Sequence, residues 1–200
     1  MRWCNRTISS SEAAHAHQVS FYAPFMSQPI VLVRPATLHD TPRIAAIYNE
    51  GIRGRNATFE TTERSSADVA TWFVDTPTEG APAYPFLVAE QGNAVVGWIR
   101  ASSYRPRYAY RSIAEYSVYV ANEARGGRVG DALMTAFLPA CARAGLTKLV
   151  SRIFPENSAS LSLCARHGFR VVGTYDKHGM LDGVWRDVVI VERLFPENQR

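Results

Sequence analysis

The stretch from Ile113 to Ala140 constrains this chain more than any other: a run of β-branched and aromatic residues, IAEYSVYV, passes through ANEARGGRVG into a segment with helical spacing. β-Branched and aromatic side chains suit a pleated, half-buried surface, so Ile113–Val120 reads as a strand. Glu115 puts an acid where an ordinary strand would take another apolar residue. From Val129 onward, Val129, Ala132, Leu133, Ala136, Phe137 and Ala140 recur at three- and four-residue steps, which predicts a helix packed by one face on a sheet. Pro139 falls inside that helix and removes a backbone donor, which predicts a kink or an early end.

The junction between strand and helix has the makings of an anion cradle. First-turn amides of a helix have no intrahelical acceptor and sit at the positive end of the helix dipole. Arg125, Gly126, Gly127, Arg128 and Gly130 surround this helix start, so free N–H groups and two guanidinium groups converge where a pyrophosphate would fit. No Lys-Ser/Thr pair follows the glycines, which excludes a P-loop, and the GxGxxG spacing of a dinucleotide fingerprint is missing. Taken alone, the loop reads equally well as a glycine-containing turn with a solvated basic rim.

Around this centre the other elements fall in a definite order. Pro29–Arg34 reads as the first strand, and Thr37–Asp40 offers caps for a helix carrying Ile44, Ile47 and Tyr48. Gly51–Thr62 has loop composition around one large apolar residue, Phe59, which either lines a pocket or plugs the core. Ser65 or Ser66 caps a second helix over Val69–Phe73, and Phe86–Glu90 with Ala94–Ala101 forms a hairpin around Gln91, Gly92 and Asn93. Ser102–Tyr110 is a polar, aromatic and cationic loop. Its Arg105 and Arg107 forks match two-oxygen anions, although an exposed turn whose tyrosines cover the core edge is the plainer reading. Leu149–Phe154 reads as a strand and Asn157–His167 as a short helix closed by Gly168. Phe169–Tyr175 and Val184–Leu194 read as a last strand pair joined by a loop through Gly179 and Gly183.

With 200 residues, 46% of them hydrophobic, the chain can bury one good core. The expected division is a disordered N-terminal extension over 1–28, one domain over 29–196 and a tail over 197–200. The extension lacks periodicity and has no apolar centre for a secretion signal; Met26, just before the first strand, is a candidate alternative initiator. A net charge of +4 without clustered basic runs argues against a nucleic-acid partner. Cys4, Cys141 and Cys164 are odd in number and lie outside any CxxC spacing, which points to a reduced, cytoplasmic setting. The histidines form no HExxH pair and no apolar run could span a membrane, so neither a metal nor a membrane partner is expected.

The element order, with the cradle after the fourth strand, resembles the GCN5-related N-acetyltransferase (GNAT) superfamily over about residues 30–195. Four pieces carry the resemblance: VRPAT at Val33–Thr37, the strand-cradle-helix at Ile113–Leu133, PENSASL at Pro155–Leu161 and HGF at His167–Phe169. It implies an α/β (α+β) fold with a mixed central sheet of about seven strands flanked by about four helices. It also implies acetyl-CoA as co-substrate, its pyrophosphate held by the amides of Arg125, Gly126, Gly127, Arg128 and Gly130. Val118, Tyr119, Val120, Val129 and Asp131 beside the cradle, and Asn157 and Ser160 farther on, join that cofactor set by the same resemblance.

Within the superfamily the chain is most similar to the phosphinothricin, methionine sulfoximine and arsinothricin acetyltransferases, through IYNEGI at Ile47–Ile52, ATFET at Ala57–Thr61, RPRYAY at Arg105–Tyr110, AEYSVYV at Ala114–Val120 and WRDV at Trp185–Val188. By that resemblance Glu115 is the general base, and Phe59, Arg105, Arg107, Tyr110 and Glu115 surround a small-molecule amine; a homodimer is implied as well. Two departures stand out. Arg128 occupies the place of the cradle's first glycine, and Cys164 falls where relatives carry a His or Tyr thought to protonate the leaving thiolate.

A protonated amine cannot attack a thioester until a base removes a proton, so an inward-facing carboxylate such as Glu115 is the natural tool; the other reading of Glu115 is a surface strand acid, or one paired with an arginine for structure. The expected reaction is direct transfer in a ternary complex, with the oxyanion met by a backbone N–H near Tyr119. Two alternatives stay open: an acetyltransferase of another amine, such as a peptide N-terminus or a polyamine, and a weakly catalytic acyl-CoA-binding protein, which Arg128 and Cys164 motivate.

Overall fold

The computed structural model describes residues 30–74 and 79–199; the expected extension, with Cys4, lies outside the described residues. Eleven main elements follow one another: β1 (Val31–Pro35), α1 (Thr41–Arg53), α2 (Ser66–Ala70), β2 (Phe86–Gln91), β3 (Ala94–Ser103), β4 (Ile113–Val120), α3 (Val129–Arg143), β5 (Lys148–Ile153), α4 (Ser158–Arg166), β6 (Arg170–Leu181) and β7 (Val184–Leu194). The strands make one seven-stranded sheet in the order β1-β2-β3-β4-β5-β7-β6. Every neighbouring pair is antiparallel except β4 with β5, so the sheet is mixed.

The pleat assigns the helices to faces. Gly97 meets Val129 and Leu133 of α3, whereas the next residue, Trp98, packs against Tyr48 of α1 and against Trp72. Successive strand residues point to opposite faces, so α1 and α3 cover opposite sides of the sheet. Trp98, Ile99, Phe137, Leu133, Ile44 and Ile47 are fully buried between these layers.

Local chemistry accounts for the element ends. Ser65 accepts a hydrogen bond from the Asp68 amide at 3.1 Å while Asp68 accepts from the Ser65 amide at 2.8 Å, a reciprocal cap that starts α2. Within VRPAT, the Arg34 guanidinium bonds both Asp40 oxygens at 2.8 Å and Glu90 at 2.6 Å, tying β1 to β2 and to the start of α1. At the other end, Asn198 donates to the Ala142 and Leu146 carbonyls at 2.8 Å, fastening the segment after β7 to the end of α3.

Two boundaries depart from expectation, and of the two outcomes expected at Pro139 the early end does not occur. Helix α1 runs to Arg53 rather than yielding to a loop at Gly51, because the tertiary neighbour of Gly51 is the Tyr119 ring; a Cβ there would lie 2.6 Å from it. Strand β6 runs through Gly179 to Leu181 and leaves only Asp182 and Gly183 as the turn. Gly179 is needed for close approach, since a Cβ would stand 2.7 Å from the Phe59 ring. Helix α3 passes Pro139 and reaches Arg143. Pro139 and Thr135 are exposed, so the carbonyl that loses its partner lies on the solvent side.

The parallel pair positions the site. Strands β4 and β5 register only over Ile113–Glu115 with Lys148–Val150. The Ser151 hydroxyl then donates to the Tyr116 carbonyl at 3.1 Å, and past that point the strands part, leaving Ser117–Val120 with no strand partner on the β5 side among the described residues.

Candidate active site

Two cavities meet in the gap between β4 and β5. The larger, about 470 Å³, is lined by Glu115–Tyr119, Arg152, Phe59, Glu60 and His178, among others. The smaller, about 380 Å³, is lined by Arg125, Gly126, Arg128, Val129, Gly130 and Asp131 around the start of α3. Ala57, Val118, Tyr119, Asn157 and Ser160 line both, so the two form one cleft. Tyr48 of α1 and Ser160 of α4 both border the larger cavity.

The cradle has the features that an anion requires. Arg128 caps α3 without a side-chain hydrogen bond to the first-turn amides, so among the described residues the cap leaves those N–H groups available. Arg128 does so in a left-handed conformation, at φ 60° and ψ 16°, which a non-glycine residue adopts at a cost of about 1 kcal/mol. Arg125 is steadied by a 3.4 Å bond from Nε to the Val120 carbonyl. Gly127 falls outside both cavity linings. Asp131 lines the cradle, yet its carboxylate is bonded by Arg166 at 3.0 Å twice and by His167 at 3.1 Å; the Arg166 contact, first of all, holds it below the usual carboxylate range.

Asn157 joins the two cavities mechanically. Its Oδ1 accepts from the Ser160 amide at 3.1 Å and caps α4, while its Nδ2 donates to the Asn56 carbonyl at 3.2 Å, drawing the loop after α1 against α4. Tyr119 donates to the Ala57 carbonyl at 3.2 Å and stacks on Trp98, its ring centroid 4.8 Å away. Burial raises its phenol far above the ordinary value.

On the acceptor side, Glu115 lines the larger cavity, 24% exposed, in bidentate contact with Arg152: Nε bonds Oε1 at 3.1 Å and Nη2 bonds Oε2. Phe59 does both things its position allowed, lining the cavity while packing edge-on to Phe154 at 4.8 Å. Arg105, Arg107 and Tyr110 are not brought to the cleft. The two arginines are exposed on the β3–β4 loop, with the Arg105 guanidinium 5.2 Å from the Tyr104 ring and Tyr104 stacked edge-on with Tyr110 at 5.8 Å. A loop between antiparallel strands carries its residues outward, beyond the pocket that the sheet encloses. Cys164 also stands apart from the cleft. Only 2% exposed, it lines neither cavity and sits 2.9 Å from the Tyr116 hydroxyl, its thiol pushed up by burial.

Two cations escaped the sequence reading. Arg166 lines the cradle from the last turn of α4, where a basic residue is ordinary and carries no mark. Arg152 interrupts strand β5 much as Glu115 interrupts β4, and that shared oddity was a usable signal. Register makes them neighbours: Glu115 lies opposite Val150, and Arg152 shares the face of Val150 two residues on.

Comparison with known proteins gives a consistent placement. The model described as the acetyltransferase (GNAT) family matches residues 47–169. The chain is 32% identical over 161 residues to an L-methionine sulfoximine/L-methionine sulfone acetyltransferase of Pseudomonas aeruginosa, covering 80% of this chain and 92% of that protein. It is 32% identical over 163 residues to a phosphinothricin N-acetyltransferase of Streptomyces coelicolor, covering 82% and 95%. Among solved structures, a GNAT superfamily phosphinothricin acetyltransferase of Sinorhizobium meliloti in complex with AcCoA superposes with a TM-score of 0.77 at 32% identity, covering 84% and 90%. With the family match extending over more than half of the chain, and relatives at this identity spanning nearly their whole length, the chain belongs to the acetyltransferase (GNAT) family.

Proposed function

We propose that the protein is an acetyl-CoA-dependent N-acetyltransferase that modifies, and so detoxifies, the α-amino group of a small amino-acid analogue of the phosphinothricin, methionine sulfoximine or arsinothricin type. One observation carries the reading: a cradle of uncapped helix amides and a cavity holding Glu115 are the two ends of one cleft. Relatives named for methionine sulfoximine and phosphinothricin support the substrate class.

Acetyl-CoA suits the smaller cavity, whose donor set of first-turn amides with Arg125, Arg128 and Arg166 complements a pyrophosphate. The unpartnered edge of Ser117–Val120 offers backbone groups to an extended, amide-bearing arm. When bound, acetyl-CoA supplies an acetyl group activated as a thioester. The rest is done by residues of the chain. Glu115 takes a proton from the acceptor ammonium, and the freed amine attacks the thioester carbonyl carbon. The C–N bond forms and the C–S bond breaks; of the two protons the nitrogen sheds, one ends on the departing thiolate and the other reaches solvent through Glu115. Fixing both partners in the cleft accounts for much of the acceleration, on the order of 7 kcal/mol at best.

The homodimer belongs to the same reading. Val171, Val172, Tyr175, Met180, Val184 and Trp185 stand exposed along the β6–β7 hairpin, and large apolar side chains of this kind are what a symmetric subunit contact would cover.

The test is thiol release from acetyl-CoA with purified protein and a panel of phosphinothricin, methionine sulfoximine, arsinothricin, a polyamine and a peptide. Turnover of one of the first three, lowered at least a hundredfold by Glu115→Gln, supports the reading. Turnover of the polyamine or peptide alone refutes the substrate class.

A further inference from the structure

We propose that His178, carried into the acceptor cavity by a bulge in β6, contacts the polar group at the far end of the acceptor's side chain and so selects phosphinate- and sulfoximine-type amino acids over apolar ones of the same length. The inference rests on the reading above and assigns a specificity-determining residue to it.

The bulge comes first. Strands β6 and β7 pair Tyr175 with Val188 and Gly179 with Arg186, so Asp176, Lys177 and His178 stand opposite Asp187 alone. Extra residues on one strand bend it and re-aim its side chains. Lys177 absorbs the bend at φ 47°, in the left-handed region, and its amide donates to the Asp187 carboxylate at 2.7 Å. His178 then lines the cavity, while the next residue, Gly179, lies against the Phe59 ring. The Tyr175 ring backs the imidazole, 4.9 Å away between centroids and tilted by 37°.

Position decides what the imidazole meets. Glu115 on β4, Arg152 on β5, Val188 on β7 and His178 on β6 line the cavity in the order in which their strands cross the sheet. The cavity therefore runs from Glu115 over β5 and β7 to β6. With the amine at Glu115, a side chain that follows the cavity passes the apolar cluster of Phe59, Phe154 and Val188 and ends at His178. Apolar first and polar last is the order in phosphinothricin and methionine sulfoximine, whose α-carbon is followed by two methylene groups and then by phosphorus or sulfur bearing oxygen or nitrogen.

An imidazole suits such an end because its neutral ring carries one donor and one acceptor. It donates to a phosphinate or sulfoximine oxygen, or accepts from the sulfoximine N–H. An apolar terminus would displace water from the ring nitrogens and offer them nothing, which is the basis of the selection. The β3–β4 loop approaches the same end of the site. The Arg105 guanidinium is raised above its ordinary value by its bond with Tyr104 first, and then by nearness to the phenols of Tyr104, Tyr110 and Tyr175. Tyr175 thus neighbours both that loop and His178, and the loop's arginines and the imidazole flank one end of the site together.

The test compares steady-state kinetics of wild type, His178→Phe and His178→Gln with phosphinothricin, methionine sulfoximine and norleucine. The norleucine side chain has the length of the phosphinothricin side chain without its polar atoms, and it is also run as a competitive inhibitor so that its affinity is read with or without turnover. His178→Phe keeps a ring against Tyr175 and removes both nitrogens. It is expected to raise KM for phosphinothricin and methionine sulfoximine at least tenfold, to leave KM for acetyl-CoA unchanged, and to lower the preference for either over norleucine at least tenfold. His178→Gln restores a donor and an acceptor, so it should keep part of that preference, and it covers the case of a poorly folded phenylalanine variant. If the preference over norleucine stays at its wild-type value in both variants, or norleucine loses as much affinity as phosphinothricin does, the assignment is overturned while the proposed function stands. If wild type acetylates neither phosphinothricin nor methionine sulfoximine, the proposed function fails and the assignment with it.

Discussion

Arg128 is where one residue most clearly sets stability against function. Its left-handed backbone is a conformation that glycine adopts freely, and its guanidinium lines the cradle. Arg128→Gly is therefore expected to stabilise the fold by about 1 kcal/mol while weakening acetyl-CoA binding severalfold. Thermal melting and a direct titration with acetyl-CoA check the two halves separately. Cys164 is the converse case, a residue with chemical potential that lines neither cavity. It is buried against Tyr116, so Cys164→Ala should cost about 1–2 kcal/mol of stability through the lost contact and the space left behind. Its kcat should stay within a few-fold of wild type, measured at a temperature where both proteins are folded.

At the scale of elements, the junction of β1, β2 and α1 shows how one arginine can order three pieces of chain. Arg34, through its bonds to Asp40, is the chief reason that the Asp40 carboxyl is held at about 2, below its ordinary 3.8. The folded-state value lies below the unfolded one, so this pairing contributes its full stability above about pH 4 and loses it as pH falls toward 2. Arg34→Met should lower the urea midpoint at pH 7 and flatten the decline in stability between pH 4 and 2. Legibility at this scale was uneven. The caps, the apolar periodicities and the strand runs are local, and Ser65, Asn157 and the α3 stripe behaved as their spacing implied. The extents of α1 and β6 were not legible, because Gly51 and Gly179 look like loop residues in sequence and are instead the flat spots against which Tyr119 and Phe59 pack.

For the whole molecule, the sheet ends in a hairpin whose apolar side chains face outward, and the proposed dimer has its consequence there. Trp185→Glu should convert the protein to a monomer by sedimentation velocity, with the far-UV spectrum unchanged; Trp185 is 54% exposed, so a lone subunit loses little packing. Taken by itself, the sequence determined the order of the elements and, through the resemblance that order carries, the class of fold; it also marked the start of α3 as a candidate anion cradle and Glu115 as a candidate base, because each rests on neighbours in the chain: a period, a cap, a run of amides, an acid among apolar residues. The partners of those groups were decided only by tertiary structure. The parting of β4 from β5 opened the cleft, strand register set Arg152 beside Glu115, and the course of the β3–β4 loop carried Arg105 and Arg107 away from it. Charges meet across a distance in space, and distance along the chain does not encode it until the sheet has chosen its register.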